Sequence, residues 1–128
     1  MQLSHTMVSC IIVNWNGKEL LGDCLRSVER QTFKALEIIL VDNGSTDGSV
    51  GFVESEFPFV KVVSLKENSG FAGGNIEGLK HSRGDFIALL NNDVTLCENW
   101  VEHMVKAINR DPDIGLCSSK IIIEGTNE

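Results

Sequence analysis

Leu36-Glu37-Ile38-Ile39-Leu40-Val41 runs directly into Asp42-Asn43-Gly44-Ser45-Thr46-Asp47-Gly48, and this apolar run followed by a polar cluster decides the fold. A second segment repeats the arrangement, with Phe86-Ile87-Ala88-Leu89-Leu90 followed by Asn91-Asn92-Asp93. Short runs rich in Ile, Leu and Val are typical of strands buried on both faces of a parallel sheet. Ligands of such sheets bind beyond the carboxyl ends of the strands, where the strand order reverses. The two clusters therefore predict one oxygen-rich site, suited to a nucleotide and a hard divalent cation.

The rest of the chain alternates strands with helices, which predicts an α/β fold. We expect an open, mostly parallel Rossmann-like sheet with helices on both faces. Further strands are predicted at Val8–Val13 and Val60–Leu65, with the strand before Asn91 beginning at Asp85 and one or two more at Ile114–Cys117 and Ile121–Ile123. The third helix should run to His81, with Gly84 ending it. Apolar positions at helical spacing predict the inward faces of three other helices: Leu20, Leu21, Cys24, Leu25 and Val28; Val50, Val53 and Phe57; Trp100, Val101, Met104, Val105 and Ile108.

Length and charge narrow the class of protein. The 128 residues fit one domain, and 18 acidic against 11 basic side chains give a formal charge of -7. No basic stripe is present, which argues against nucleic acid as a partner. The same negative field would repel a diphosphate, so a metal ion and backbone N–H groups would have to supply positive charge locally.

Cysteine spacing and hydropathy favour a cytoplasmic location. The four cysteines show no paired C-x-x-C spacing, which favours reduced thiols. The leader Met1–Met7 lacks the features of a signal peptide, and no run approaches the roughly 20 apolar residues of a membrane span. We therefore expect no membrane span in this chain, and membrane association only through a longer parent protein.

Three side chains near the predicted strand ends are candidates for the site, and each has a structural alternative. Asp42 can accept two hydrogen bonds from a base edge or a ribose diol, or it can simply close a tight turn. Asp93 can bind a cation or cap the next helix. Trp15 can stack on a base or have a plain packing role. The occurrence of two such polar strand ends favours a binding site over two separate turns.

The segment Asn68-Ser69-Gly70-Phe71-Ala72-Gly73-Gly74-Asn75 is rich in glycine. It matches neither the G-x-G-x-x-G fingerprint nor a P-loop, so neither a dinucleotide-binding fold nor an ATPase is indicated. Close backbone packing and a role in lining the nucleotide pocket are equally compatible with it.

Four motifs in this order resemble a known family: Val8-Ser9-Cys10-Ile11-Ile12-Val13-Asn14-Trp15-Asn16; Ile39 to Ser49; Asn68 to Asn75; and Leu89-Leu90-Asn91-Asn92-Asp93-Val94. The chain resembles the family 2 glycosyltransferases of the GT-A fold, particularly their rhamnosyltransferase-like branch. The resemblance implies inverting transfer of a sugar from a nucleotide-diphosphate donor to a saccharide or lipid-linked acceptor, as in polysaccharide biosynthesis. It also implies Mg²⁺ or Mn²⁺ bound with the diphosphate.

The resemblance assigns roles by position. It implies that Asp42 binds the base or ribose, and that Val13 and Trp15 line the base pocket. Asn91-Asn92-Asp93 would occupy the position of the D-x-D motif, so Asn91 and Asn92 would contact the donor and Asp93 would bind the metal. Asn91 departs from the pattern, because an aspartate is usual there, and this leaves one carboxylate fewer.

The resemblance also implies a division of the protein. The family places its catalytic base, an Asp or Glu, and much of its acceptor site in a C-terminal part that would follow Glu128. We therefore expect residues 1–128 to form the nucleotide-sugar-binding part, poorly active or inactive alone.

Two other functions are compatible with parts of this pattern. A sugar nucleotidyltransferase would need a glycine-rich loop bearing Arg and Lys directly after the first strand, where Asn14-Trp15-Asn16-Gly17-Lys18-Glu19 stands instead. A non-catalytic nucleotide-binding or interaction module is also compatible with the length and with Asn91. A transfer or donor-hydrolysis assay separates that module from an enzyme.

Overall fold

The strands of the computed structural model form a single parallel sheet, and the structure describes residues 5–126. The elements in chain order are β1 (Val8–Asn14), α1 (Lys18–Glu29), β2 (Leu36–Asp42), α2 (Ser49–Glu56), β3 (Lys61–Ser64), α3 (Gly70–His81), β4 (Phe86–Asn91) and α4 (Trp100–Ile108). Most of the predicted leader, Met1–Met7, lies outside the described residues. Three strands extend one residue further than predicted, so that Asn14, Asp42 and Asn91 each end a strand.

The sheet has the strand order β3-β2-β1-β4, with every neighbouring pair parallel. The chain therefore builds outward from β1 to β3 and then returns to place β4 on the other side of β1. Right-handed crossovers keep successive helices on one face while the chain moves in one direction, and they require the opposite face after a reversal. The reversal at β1 and β4 is the point at which open α/β sheets bind ligands.

Helices cover both faces of the sheet, as predicted. One face packs against α1, α2 and α4 through a large apolar cluster that includes Cys10, Ile12, Leu25, Leu40, Val53, Leu90 and Val101. The other face is smaller and is centred on Ile11, Ile39 and Val41, beneath α3. Because α3 is the connection that returns from β3 to β4, it lies on the face opposite the other three helices.

Glycines let α3 approach the sheet closely. A Cβ atom added at Gly78 would lie 2.4 Å from Cγ2 of Ile11, and one added at Gly74 would lie 2.7 Å from Cγ1 of Val13. Neither distance is possible between packed carbon atoms, whose best separation is about 3.5–4.0 Å. Gly74 of the glycine-rich segment, and Gly78 beyond it, therefore serve close helix-to-sheet packing.

Three predictions about helices and strand faces need correction. Leu20 is 48% exposed, because it precedes the buried Leu21 by one residue and so lies about 100° around α1. Gly84 does not end α3, which finishes at His81 with Ser82 as its C-cap; an added Cβ at Gly84 would instead lie 2.5 Å from the backbone nitrogen of Ser9. β4 is not buried on both faces, since Ile87 and Leu89 on its α3 side are 40% and 53% exposed.

The strands predicted at Ile114–Cys117 and Ile121–Ile123 are wrong. The described part of this region has no strand or helix, and Leu116 and Ile121 are 87% and 81% exposed. A strand exists only when a neighbour supplies a hydrogen-bonded ladder, and none of residues 5–126 pairs with this segment. Apolar composition alone therefore misled the prediction.

Glu37 on β2 ties the sheet to the segment that leads into β4. Its carboxylate accepts hydrogen bonds from the Ser9 hydroxyl and the Arg83 backbone N–H, and it lies 3.5 Å from Nε of Arg83. Burial alone would raise the pKa of Glu37, but these hydrogen bonds and the Arg83 charge outweigh it and lower the pKa.

No helix among residues 5–126 is both long enough and apolar enough to cross a bilayer.

Candidate functional site

Asp42 ends β2 and is 2% exposed. Its Oδ1 accepts hydrogen bonds from Nδ2 of Asn14 at 3.0 Å and from Oγ of Ser45 at 2.6 Å, and its Oδ2 accepts one from the backbone N–H of Ser45 at 2.8 Å. A carboxylate offers about four acceptor positions, so one remains, at Oδ2. The turn-closing role is therefore real, and this count leaves one acceptor position of the carboxylate without a partner among the described residues.

Asn14 ends β1 between β2 and β4, and it is completely buried. Besides its bond to Asp42, its Nδ2 donates to Oγ of Ser45 at 3.2 Å, and its Oδ1 accepts a hydrogen bond from Nδ2 of Asn92 at 3.0 Å. An unbroken chain of side chains thus runs from Asp42 through Asn14 to Asn92. The tips after β2 and β4 meet at the same edge of the sheet, as the sequence predicts.

Asn16 joins the end of β1 to the loop after β2. It adopts a left-handed backbone conformation with φ 49°, which asparagine tolerates better than most residues. Its backbone N–H donates to Oγ of Ser45 at 2.8 Å, and its Oδ1 accepts a hydrogen bond from the backbone N–H of Thr46 at 2.8 Å. These contacts hold the loop against β1.

Asp47 in the same loop holds the starts of two helices. It accepts hydrogen bonds from the backbone N–H groups of Lys18 at 2.9 Å and Ser49 at 3.0 Å, and from the Ser49 hydroxyl. Burial alone would raise the pKa of Asp47, but these hydrogen bonds prevail and lower it. The loop after β2 is therefore fixed to both α1 and α2.

Asn43 brings the start of α3 to this edge. Its Nδ2 donates to the carbonyl of Gly70 at 3.1 Å, while its Oδ1 accepts hydrogen bonds from the Ser69 hydroxyl at 2.9 Å and the Ser69 N–H at 3.3 Å. Val13 lies half-buried beneath Gly74. The glycine-rich segment therefore borders the polar tips in addition to packing on the sheet.

Asp93 lies in the exposed turn after β4. No donor among the described residues binds its carboxylate, in contrast with that of Asp42. Beneath the turn, the Cys24 thiol donates to the Asn91 carbonyl at 3.5 Å. Burial, reinforced by the negative charge of Asp93, raises the pKa of Cys24 to about 11. The oxygens of Asp93 are thus available to a cation, whereas Nδ2 of Asn92 is occupied by Asn14.

The turn after β4 offers few protein oxygens to a cation, so a cation bound there would need further ligands from water and from a bound phosphate. Within residues 5–126 there is no group of three or more His, Cys, Asp and Glu side chains that could hold a metal. Mg²⁺ and Mn²⁺ sites at phosphates typically use one or two carboxylates and complete the coordination with water and substrate oxygens. Asp93, with the amide oxygen of Asn91 nearby in sequence, fits a metal site of this phosphate-dependent kind.

Trp15 is 58% exposed at the end of β1. More than half of its surface is therefore accessible to a planar ligand. Asn14, Asn16 and Ser45 were missed as site residues. The signal that identified Asp42, a polar side chain directly after an apolar run, also applies to Asn14.

Two shallow and mostly apolar concavities occur elsewhere on the described chain. Both are lined by Phe33 and Lys34, which precede β2 and so lie at the opposite edge of the sheet from the polar tips. At the first of them the carboxylate of Glu102 is already paired with Thr32 and Lys106, so the carboxyl edge remains the candidate site.

Comparisons with known proteins show what this chain is similar to. A family model described as Glycosyl transferase family 2 matches residues 9–128. An uncharacterized glycosyltransferase of Bacillus subtilis, YfnE, is 33% identical over 113 residues, which cover 85% of this chain and 29% of the relative. The cholesterol galactosyltransferase of Borreliella burgdorferi is 31% identical over 114 residues, which cover 87% of this chain and 32% of the relative.

Solved structures share the architecture. The structure of S. aureus TarS 1-349 in complex with UDP matches with a TM-score of 0.74 and 26% identity, covering 80% of this chain and 32% of that one. The mannosyltransferase PcManGT from Pyrobaculum calidifontis, in complex with GDP-Man and Mn²⁺, matches in fold with a TM-score of 0.76 and 23% identity, covering 84% of this chain and 33% of that one. This chain thus spans about a third of the length of such relatives.

Proposed function

The chain belongs to glycosyl transferase family 2 and has the GT-A fold, and from this premise we propose that it is the donor-binding part of an inverting, metal-assisted glycosyltransferase. The donor is a nucleotide-diphosphate sugar, and the acceptor is a hydroxyl of a saccharide or lipid-linked molecule. The observation that carries the proposal is the hydrogen-bonded chain from Asp42 through Asn14 to Asn92. It supports a single cavity in which one end of the donor meets Asp42 and the other meets Asp93.

Asp42 recognises the nucleoside. Its one remaining acceptor position can take a single N–H or O–H group, and Trp15 offers an exposed ring on which a base can stack. Uracil and thymine present one N–H group on the pairing edge, whereas guanine presents adjacent N–H groups that suit a carboxylate with both oxygens free. A uridine or thymidine nucleotide therefore fits best, and the second agrees with the rhamnosyltransferase-like motifs.

Asp93 serves the diphosphate. When bound there, Mg²⁺ or Mn²⁺ supplies positive charge to the departing diphosphate. The Asp93 carboxylate holds the cation, and the Asn91 amide adds at most a neutral ligand where a second carboxylate is usual. One charge fewer lowers affinity for the free cation and makes binding depend on the phosphate oxygens.

Inversion requires the acceptor hydroxyl to attack the face of the sugar opposite the diphosphate while a base removes its proton. We propose that this chain holds and orients the donor, and that the base and the acceptor site belong to another part of the protein. The shared coverage of about a third of each relative supports this division. Robust sugar transfer by residues 1–128 alone would contradict it.

Calorimetric titration tests the proposal most directly. The protein is titrated with UDP, dTDP and GDP, each with and without Mn²⁺. We expect UDP and dTDP to bind more tightly than GDP, and Mn²⁺ to strengthen the binding of each diphosphate that binds. Failure of all three nucleotides to bind in the presence of Mn²⁺ would refute the donor site.

The Asp93→Ala substitution isolates the metal contribution. We expect it to remove the Mn²⁺-dependent gain in UDP affinity while leaving the binding of uridine unchanged, because Asp93 lies at the diphosphate end of the donor and makes no hydrogen bond to the rest of the described chain. Asp113→Ala is the matched control, since Asp113 is also exposed and the substitution changes the net charge equally. Equal Mn²⁺ enhancement in Asp93→Ala and wild type would exclude Asp93 as the ligand.

A non-catalytic nucleotide-binding module is the second candidate, and Asn91 at the D-x-D position favours it. Such a module would bind UDP but would neither transfer nor hydrolyse a nucleotide sugar, even when the chain is extended. The same extended protein would show turnover if the enzymatic proposal is right.

A further inference from the structure

Asn14 has not been given a role in contacting the donor or the metal. We propose that it is a positioning residue, which holds the Asn92-Asp93 turn in register with the carboxylate of Asp42. This inference rests on the proposed function, since it concerns how the two ends of one donor are served together. It assigns to Asn14 an effect on the diphosphate end of the ligand, transmitted through Asn92.

The bonding of Asn14 leaves it little capacity for direct contact with a ligand. Its two amide hydrogens are used on Asp42 and Ser45, and its carbonyl oxygen accepts a hydrogen bond from Asn92. The side chain is completely buried at the reversal of strand order. Asn14 therefore acts through its neighbours, and the orientation of its amide is set on both sides.

Gly17 provides independent support for the importance of the Asn14–Asn92 hydrogen bond. A Cβ atom added at Gly17 would lie 2.3 Å from Nδ2 of Asn92 and 2.6 Å from Oδ1 of Asn14, the two atoms of that bond. Gly17 has φ -111°, which any residue can adopt, so backbone strain does not require glycine there. The space that a side chain would fill is the space through which the two amides meet.

The arrangement has a functional consequence. β2 and β4 do not pair with each other, because β1 lies between them. The hydrogen bonds of Asn14 connect their polar ends directly at the site. Without the link to Asn92, the turn bearing Asp93 loses a side-chain anchor, whereas Asp42 keeps its bonds from Asn14 and Ser45. Diphosphate binding should weaken more than nucleoside binding.

Gly17→Ala separates these two effects. The protein is titrated with uridine and with UDP in the presence of Mn²⁺. The dissociation constant for uridine divided by that for UDP measures how much affinity the diphosphate adds. Loss of one net hydrogen bond corresponds to about a 2- to 10-fold change. We expect this ratio to fall by that factor in Gly17→Ala, with the uridine dissociation constant within about 2-fold of wild type. Gly51→Ala is the control, since an added Cβ there meets nothing within 4 Å.

Asn92→Ala removes the same hydrogen bond from its other side. If Gly17→Ala acts through that bond, the double variant should lose no more of the ratio than either single variant. Thermal unfolding establishes that each variant is folded. If Gly17→Ala does not fold, the ratio is compared between Asn92→Ala and wild type only. A ratio equal to wild type in the folded variants, or uridine and UDP affinities that fall by the same factor, would overturn the positioning role.

The outcomes distinguish this inference from the proposed function. If the wild-type protein binds neither uridine nor UDP, the donor site itself is refuted. If it binds both equally well, the turn after β4 does not serve the diphosphate, and the positioning role fails while nucleoside recognition stands. If the wild-type ratio exceeds one and the variants keep it, the inference about Asn14 alone is refuted.

Discussion

Gly78→Ala is expected to destabilise the protein, because α3 reaches the sheet through the space above Ile11. The added Cβ would lie 2.4 Å from Cγ2 of Ile11 and 3.2 Å from Cγ2 of Val41. Both partners are fully buried, so neither can turn toward solvent. The helix or the strand must move by about 1 Å to restore a normal carbon–carbon separation.

Two opposing effects set the magnitude. Overpacking of a well-packed core costs about 1–3 kcal/mol, whereas replacing a helical glycine with alanine contributes roughly 0.5–1 kcal/mol of stability. Gly51→Ala in α2 provides only the second effect, since no atom lies within 4 Å of its added Cβ. The difference between the two variants therefore isolates the overpacking, at about 1–3 kcal/mol or roughly 4–12 °C in Tm.

Urea unfolding of both variants, followed by circular dichroism, measures this difference. We expect Gly51→Ala to be slightly more stable than wild type and Gly78→Ala to be less stable than Gly51→Ala. In an Ile11→Ala background, which removes the contacting methyl group, Gly78→Ala should cost less than it does in wild type. Equal stabilisation by the two alanine substitutions would refute the close seating of α3 on β1.

The remaining predictions concern titrating groups. Hydrogen bonding lowers the pKa of Glu37 in the folded state, so its contribution to stability is present above its unfolded pKa of about 4.3 and is lost as pH falls through the lower folded pKa. Between about pH 5 and pH 3, wild type should lose more free energy of unfolding than Glu37→Gln; parallel losses would contradict this assignment. Burial, with the nearby Cys24 thiol adding to it, raises the pKa of Cys10 to about 12. Iodoacetamide at about pH 8 should therefore modify the exposed Cys97 in the folded protein and reach Cys10 and Cys24 only after unfolding, as read by mass spectrometry; rapid labelling of Cys10 in the folded protein would show that this part of the core is not closed.

The sequence was sufficient for the class of fold, because its signals are local. Runs such as Ile38 to Val41 and the helical spacing of Leu21, Cys24 and Leu25 depend only on near neighbours along the chain. The same locality explains the errors. An apolar run predicts a strand at Ile121–Ile123 whether or not a partner strand exists, and it cannot show that β4 leaves Leu89 half exposed.

The candidate site was predictable as a location and unpredictable as a set of contacts. The polar residues after β2 and β4 could be recognised from sequence, since parallel strands bring their carboxyl ends to one edge. The hydrogen bonds that define the site join residues 28 positions apart for Asn14 and Asp42, and 78 positions apart for Asn14 and Asn92. Residue types along the chain determined which strand ends are polar. Only the strand order, with β1 between β2 and β4, decided that one buried amide joins them and that Gly17 lies against the hydrogen bond between Asn14 and Asn92. These outcomes depend on distances between segments that meet only when the sheet has formed.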